Sequence, residues 1–161
     1  MHAEAAEFVR AAAAVIPVLP DLVLEVGSLN VNGTARDAFP GSFWVGVDSR
    51  PGNGVSMDVD AFALPVRPLF DLVVCCEVLE HVEDVAGLVG RLVGWAVPGG
   101  HVVITCAGPG RTPHGVNGAD VGTEWYRNVE PAELRATEGV EWLLFEFHRS
   151  RGDLYALGRK R

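Results

Sequence analysis

Lysine is almost missing from this chain: Lys160 is the only one in 161 residues. A nicotinamide-dependent oxidoreductase built on a Tyr-x-x-x-Lys pair therefore has no lysine to use in the body of the sequence, and that activity stays a rival reading only. Cysteine is scarce too. Cys75 and Cys76 are adjacent and Cys106 lies in another apolar run, a spacing that fits neither a disulfide framework nor a CxxC metal site. Such usage suits a reducing cytoplasm. Long apolar runs are also absent. In the Ala-rich opening, MHAEAAEFVRAAAAVIPVLP, the longest runs from Ala11 to Leu19, too short to cross a membrane. With no basic leader, and with Glu4, Glu7 and Arg10 ahead of that run, the opening does not read as a signal peptide.

Positive charge is in short supply as well. Thirteen Lys and Arg stand against 21 Asp and Glu, for a formal net charge of −8. The imbalance is uneven: residues 1–148 hold 8 basic and 20 acidic side chains, whereas residues 149–161 hold 5 basic and 1 acidic. An acidic body repels phosphate backbones, which argues against nucleic acid as a partner. Arg149, Arg151, Arg159, Lys160 and Arg161 could form a local anion patch, although a solvated basic tail is the simpler reading.

What is present suits one domain spanning residues 1–161, with 48% hydrophobic and 21% charged residues. Residues 3–16 are strong helix formers in an amphipathic pattern, stopped by Pro17 and Pro20. LVLEV (22–26), FWVGV (43–47), FDLVVCC (70–76) and HVVIT (101–105) are short, nearly continuous apolar runs bounded by turn formers, as expected for strands covered on both faces. Residues 82–97 space Val85, Leu88, Val89, Leu92 and Val93 along one helical face, with PGG (98–100) as the stop. A further helix is expected to start at EPAEL (130–134), with Pro131 in its first turn. EWLLFEFH (141–148) and DLYALGR (153–159) flank a turn and read as a hairpin. The expected fold is a three-layer α/β sandwich, with a mostly parallel Rossmann-like sheet and a C-terminal antiparallel hairpin.

In such sheets ligands sit beyond the carboxyl ends of the strands, so those ends carry the functional reading. After the first strand come Glu25, Gly27, Ser28, Leu29 and Asn30, with Asn32 or Thr34 placed to cap a short helix over 33–38. Asp48 follows the second strand, where a carboxylate can accept from both hydroxyls of a ribose. SMDVDAFALP (56–65) offers Asp58 and Asp60. Taken singly, a glycine or an aspartate after a strand is usually a turn former. Together and in this order they point to a nucleoside-bearing ligand. A dinucleotide needs GxGxxG to seat its pyrophosphate, and here that stretch is GSLNVN. A cofactor with adenosine and no phosphate tolerates it.

From about residue 20 onward the sequence resembles the class I S-adenosylmethionine-dependent methyltransferases. LVLEVGS is similar to their first motif, WVGVD to their ribose-binding strand end, VDAFALP to the segment that reaches adenine, FDLVVCCEVLEHVED to their fourth strand and PGGHVVIT to their fifth. The glycine-rich motif departs from the family pattern at GSLNV. The resemblance implies S-adenosyl-L-methionine as cofactor, with Glu25, Gly27 and Ser28 around its methionine end, Asp48 on the ribose, and Asp60 with Ala61 at the adenine. It places Cys76 and Glu77 on the cofactor's border.

CCEVLEH (75–81) carries the remaining chemistry. A helix starting near Glu77 would put Glu80 and His81 on its face, and Glu77, Glu80, His81 and His114 together would form a donor set for Mg, Mn or Zn. Acidic residues at a helix start are favoured without any metal, so a divalent cation is the alternative and a cofactor-lining role the primary reading. Methyl transfer to a hydroxyl needs a proton acceptor, for which His114 is the first candidate and His81 the second. The loop AGPGRTPHGVNGADVGTEWYRNV (107–129), with Trp125, Tyr126 and Arg127, reads as a lid that binds the acceptor. A chain of this length leaves a shallow pocket, or one completed by a second copy in a homodimer. It suits a small-molecule or glycan acceptor. The rival from another class is a non-catalytic cofactor-binding or scaffold module.

Overall fold

The computed structural model describes residues 1–116 and 118–161. Strands β1 (Leu22–Val26), β2 (Phe43–Asp48), β3 (Met57–Asp58), β4 (Phe70–Cys76), β5 (Ala96–Ala107), β6 (Val140–His148) and β7 (Asp153–Lys160) form one sheet. Their order is β3-β2-β1-β4-β5-β7-β6. The first five pair in parallel, and β7 runs antiparallel between β5 and β6. The expected mixed sheet with its terminal hairpin is thus present.

The continuous apolar runs are explained by burial on both faces. In β4, Leu72 and Val74 pack towards α1 (Ala3–Val15), joining Phe8, Val9 and Ala12. Val73 and Cys75 point the other way, to α2 (Val85–Trp95), where they meet Leu88, Val89 and Leu92. Alternate residues thus serve two cores, so the run from Leu72 onward is apolar throughout. The cores make three layers.

Several boundaries differ from the sequence reading, each for a local reason. The helix expected over 82–97 spans Val85–Trp95, because the Asp84 side chain accepts the Gly87 N–H at 2.8 Å and so caps it. Strand β5 begins directly at Ala96. PGG therefore lies inside the strand and not before it, where the register against β4 shifts between Phe70 and Leu72. Thr34, not Asn32, caps a single 3₁₀ turn at Ala35–Ala38. The last helix, α3 (Pro131–Arg135), starts with a capping box between Glu130 and Glu133. Strand β3 was not expected: it has only two residues, both exposed.

No helix starts at Glu77. This residue has φ 57°, the only positive φ outside glycine among the described residues, and a 3₁₀ turn follows at Leu79–His81. The left-handed backbone turns the chain away from β4. Glu77, Glu80 and His81 therefore do not share a helix face, and the expected convergence of all three fails.

Candidate active site

The strand order reverses between β1 and β4, and a cavity of about 1130 Å³ opens there over the carboxyl ends of the strands. Glu25, Gly27, Ser28, Asp48, Asp60, Ala61, Cys76, Glu77, His81 and His114 all line it. Asp58 lies outside, in β3, and Glu80 is buried beneath the wall with no exposed surface.

Gly27 ends β1 with φ 75°, and a Cβ there would lie 2.1 Å from Val78 Cγ2. Both its conformation and its surroundings therefore require glycine. In the loop that follows, Leu29 and Val31 stand where a GxGxG pattern has its second and third glycines, and the structure shows how the chain is accommodated there. The Asn30 N–H donates to the Asn53 carbonyl at 2.9 Å, and a Cβ on Gly52 would meet Leu29 Cδ1 at 2.3 Å. Leu29 fills space that Gly52 leaves open. The close approach of backbones has moved to the loop after β2, which no pattern search of GSLNV could find.

Asp48 is held in place by that arrangement. Its Oδ2 accepts from the Leu29 N–H at 3.1 Å and its Oδ1 from the Arg50 N–H at 3.0 Å. Each carboxylate oxygen keeps a lone pair for a ligand hydroxyl. Asp60 Oδ1 caps the 3₁₀ turn Ala61–Ala63 through the Phe62 N–H at 2.8 Å, and Phe62 adds an aromatic wall to the cavity. Glu25 is nearly fully buried, and its Oε2 pairs with Arg36 Nε at 3.0 Å. Burial pushes its pKa up, and the guanidinium opposes the shift. Burial likewise pushes the Cys76 thiol up to about 12, so it lines the cavity as an uncharged group.

Glu77 stands apart from the cluster of Glu80, His81 and His114. Its Oε1 accepts from Thr105 Oγ1 at 2.9 Å, and its N–H donates to the Thr105 carbonyl at 2.7 Å. Its Oε2 lies 3.3 Å from His2 Nε2. His2 and Arg36 are participants that sequence reading missed, since both act across the fold from helical or loop segments with no motif around them.

At the other end of the cavity, His81, His114 and Tyr126 form an aromatic box. Their ring centroids lie 5.1–5.6 Å apart, with edge-on geometry throughout. The Thr112 carbonyl, which can only accept, lies 3.1 Å from His114 Nδ1, so Nδ1 is the nitrogen that carries a hydrogen there. Nε2 faces Glu80 Oε1 at 3.9 Å. Burial and neighbouring His114 hold the His81 pKa below the usual imidazole value. Glu80, His81 and His114 each bring a ligand atom within 4.8 Å of the others, so the structure assembles three of the four residues considered for a metal and leaves Glu77 out. Two polar atoms there, Glu80 Oε2 and His81 Nδ1, are buried without a hydrogen-bond partner. The loop after β5 supplies Arg111–Val116 and Gly118–Asp120 to the cavity wall. Within it Tyr126 turns inward and donates to Asn128 Oδ1 at 2.9 Å, while Trp125 stays exposed.

Residues 33–104 match a family model described as a methyltransferase domain. No curated protein matches the chain. Among solved structures it is similar to the N-methyltransferase NodS from Bradyrhizobium japonicum in complex with S-adenosyl-L-homocysteine, at 17% identity over 98% of this chain and 86% of that one, with a TM-score of 0.71. A second is the Burkholderia thailandensis 1,6-didemethyltoxoflavin-N1-methyltransferase with bound 1,6-didemethyltoxoflavin and S-adenosylhomocysteine, at 17% identity over 97% and 78% of the two chains, with a TM-score of 0.72. A third is the N-terminal domain of EvdMO1 in the presence of S-adenosylhomocysteine and D-fucose, at 18% identity over 99% and 84%, with a TM-score of 0.67.

Proposed function

We infer that this chain, which has the fold of the class I S-adenosylmethionine-dependent methyltransferases, is an enzyme of that kind and methylates a hydroxyl of a small or sugar-like acceptor. One observation carries the reading: the carboxylates of Asp48 and Asp60, at and beyond the strand ends, share one cavity with the imidazole of His114. When bound, S-adenosylmethionine would supply an activated methyl group on a sulfonium, with the neutral thioether as its leaving group.

This chain's own residues then have two tasks, to align and to take a proton. Asp48 accepts from the ribose hydroxyls, Asp60 and the Ala61 backbone meet the adenine, and Glu25, Gly27 and Ser28 border the methionine end. Cys76 and Glu77 complete that border. The acceptor hydroxyl donates to His114 Nε2, which takes its proton as the new C–O bond forms. His81 is the second candidate for that proton. The box of His81, His114 and Tyr126 offers ring faces and edges suited to a sugar.

The orphaned Glu80 Oε2 and His81 Nδ1 favour a second reading of the same corner, in which Glu80, His81 and His114 hold a divalent cation. Calorimetric titration of chelator-treated protein with Mg, Mn and Zn separates the two. The reading extends to one domain over residues 1–161, a cytoplasmic home consistent with three free cysteines, and a non-nucleic-acid acceptor, given the acidic body. A homodimer would deepen the cavity mouth.

The test is a methyl-transfer assay with labelled S-adenosylmethionine across a panel of sugars and hydroxylated small molecules. Turnover on one of them, lost in His114→Ala while S-adenosylhomocysteine still binds, is the expected result. Binding with no turnover on any acceptor would favour the scaffold reading.

A further inference from the structure

The roof of the cavity contains a histidine that the proposed reaction does not use. Met1 and His2 line the cavity alongside Gly27, Glu77 and Arg111. His2 does not sit on a free tail: its carbonyl accepts the first helical bond of α1, from the Ala6 N–H at 3.1 Å. The helix itself is anchored by buried Ala5, Phe8, Val9 and Ala12. The His2 ring reaches from that helix to two strand ends. Nδ1 lies 3.0 Å from Glu4 Oε2, and Nε2 lies 3.3 Å from Glu77 Oε2 and 3.9 Å from Asp153 Oδ1.

The charges around this ring are not evenly shared. Asp153, at the start of β7, is already paired with Arg111 of the loop and with Arg151 at 3.2 Å. Glu4 has a long contact to Arg151 at 4.0 Å. Glu77 has no ion-pair partner but His2 among the described residues. Its carboxylate is held at the cavity wall by a left-handed backbone that is over-determined by two bonds to Thr105. Backbone of that kind in a non-glycine residue persists only where its surroundings enforce it, and such sites concentrate at function.

We propose that His2 is a positioning residue: it bridges α1 to Glu77 across the methionine end of the cavity, and this bridge retains the demethylated cofactor and limits its release. The proposal rests on the reading of this cavity as the S-adenosylmethionine site. A ring with carboxylates on both nitrogens needs protons on both, and contact with Glu77 raises the His2 pKa above the usual imidazole value. The bridge is therefore intact at pH values below the ordinary histidine range and is lost as pH rises through the raised pKa. The groups facing the ring are Glu4, Glu77, Asp153, Arg111, Arg151 and, at 6.5 Å between centroids, Tyr155.

Stopped-flow dissociation of S-adenosylhomocysteine from the full chain, followed from about pH 5.5 to 8.5, tests this. For the wild type the off-rate rises by about tenfold across the raised pKa. For His2→Gln, which keeps a polar side chain without a titrating proton, it is fast and independent of pH. Glu77→Gln removes the other end of the bridge and gives the same flat profile, so the proposal stays testable if one variant folds poorly by thermal melt. A His2→Gln profile that matches the wild type overturns the proposal. Failure of the wild type to bind S-adenosylhomocysteine at all would instead overturn the methyltransferase reading, and is seen before any variant is compared.

Discussion

Glu80 Oε1 lies 3.9 Å from His114 Nε2, with the carboxyl wholly buried behind the cavity wall and the imidazole on its surface. One backbone bond reaches that carboxyl, from the Ala107 N–H at 3.2 Å. Burial, followed by the charge of Glu77, pushes the Glu80 pKa up to about 8. His114 therefore faces a carboxyl that burial makes reluctant to ionise, across a gap too long for a hydrogen bond.

That shift has a sign that stability can report. A carboxyl whose folded pKa is raised contributes stability that is complete below its unfolded value and is lost as pH rises through the folded value. Chelator-treated wild-type protein should therefore lose stability, on the order of a few kcal/mol, between its unfolded value and about pH 8. In Glu80→Gln that part of the slope disappears. Urea unfolding at a series of pH values measures the difference, and equal slopes in the two proteins would rule the assignment out.

Asp48→Ala removes the carboxylate proposed to accept from a ribose diol, along with the partner of the Leu29 and Arg50 N–H groups. The two hydrogen bonds proposed between a ribose diol and this carboxylate amount to roughly 3 kcal/mol, which is about a hundredfold in affinity. Calorimetry with S-adenosylhomocysteine should show that loss, with a smaller one in Asp48→Asn. Undiminished binding would remove Asp48 from the site.

Gly27→Ala meets two obstacles, the positive φ and the Val78 methyl. We expect a loss of more than about 1 kcal/mol in stability together with weaker cofactor binding. Adding Val78→Ala relieves the contact and leaves the backbone strain, so the double variant should recover only part of both. Full recovery would mean that the conformation itself imposes nothing.

Arg127 and Glu133 form a two-pronged pair at 2.8 and 2.6 Å, and Glu133 also accepts the Glu130 N–H at 2.9 Å. The pair joins the end of the loop after β5 to α3, next to Tyr126. Each side chain is about one-third exposed, so Glu133→Gln should lower stability by only about 1 kcal/mol. Arg127 holds the Glu133 pKa down, so this contribution is present at neutral pH and fades as pH falls through the carboxylate range. The more telling readout is kinetic: KM for the acceptor rises while kcat changes little. A reduced kcat at constant KM would place the clamp's effect elsewhere.

Much of this architecture was legible in the residues themselves. Near-continuous apolarity in FDLVVCC announced a strand covered on both sides, and the spacing of the five residues Val85, Leu88, Val89, Leu92 and Val93 announced the face of α2, all of them buried. Glu77 shows where such reading stops. A polar residue before VLEH looks like a helix start, yet the β4 end feeds into a left-handed turn because Thr105, on the neighbouring strand, binds both its N–H and its carboxylate. The helix waits for the Asp84 cap.

The sequence by itself determined the layers of this protein, the order of strand and helix, and the acidic residues at or just after the ends of β2, β3 and β4, since these depend on periodicity and local turn chemistry. Tertiary structure alone decided which distant groups share a charge or a void. Arg36 neutralises Glu25, Gly52 makes room for Leu29, and His2 crosses from α1 to Glu77. Such pairings arise from the approach of segments far apart in the chain, and their energies depend on burial that no local pattern encodes.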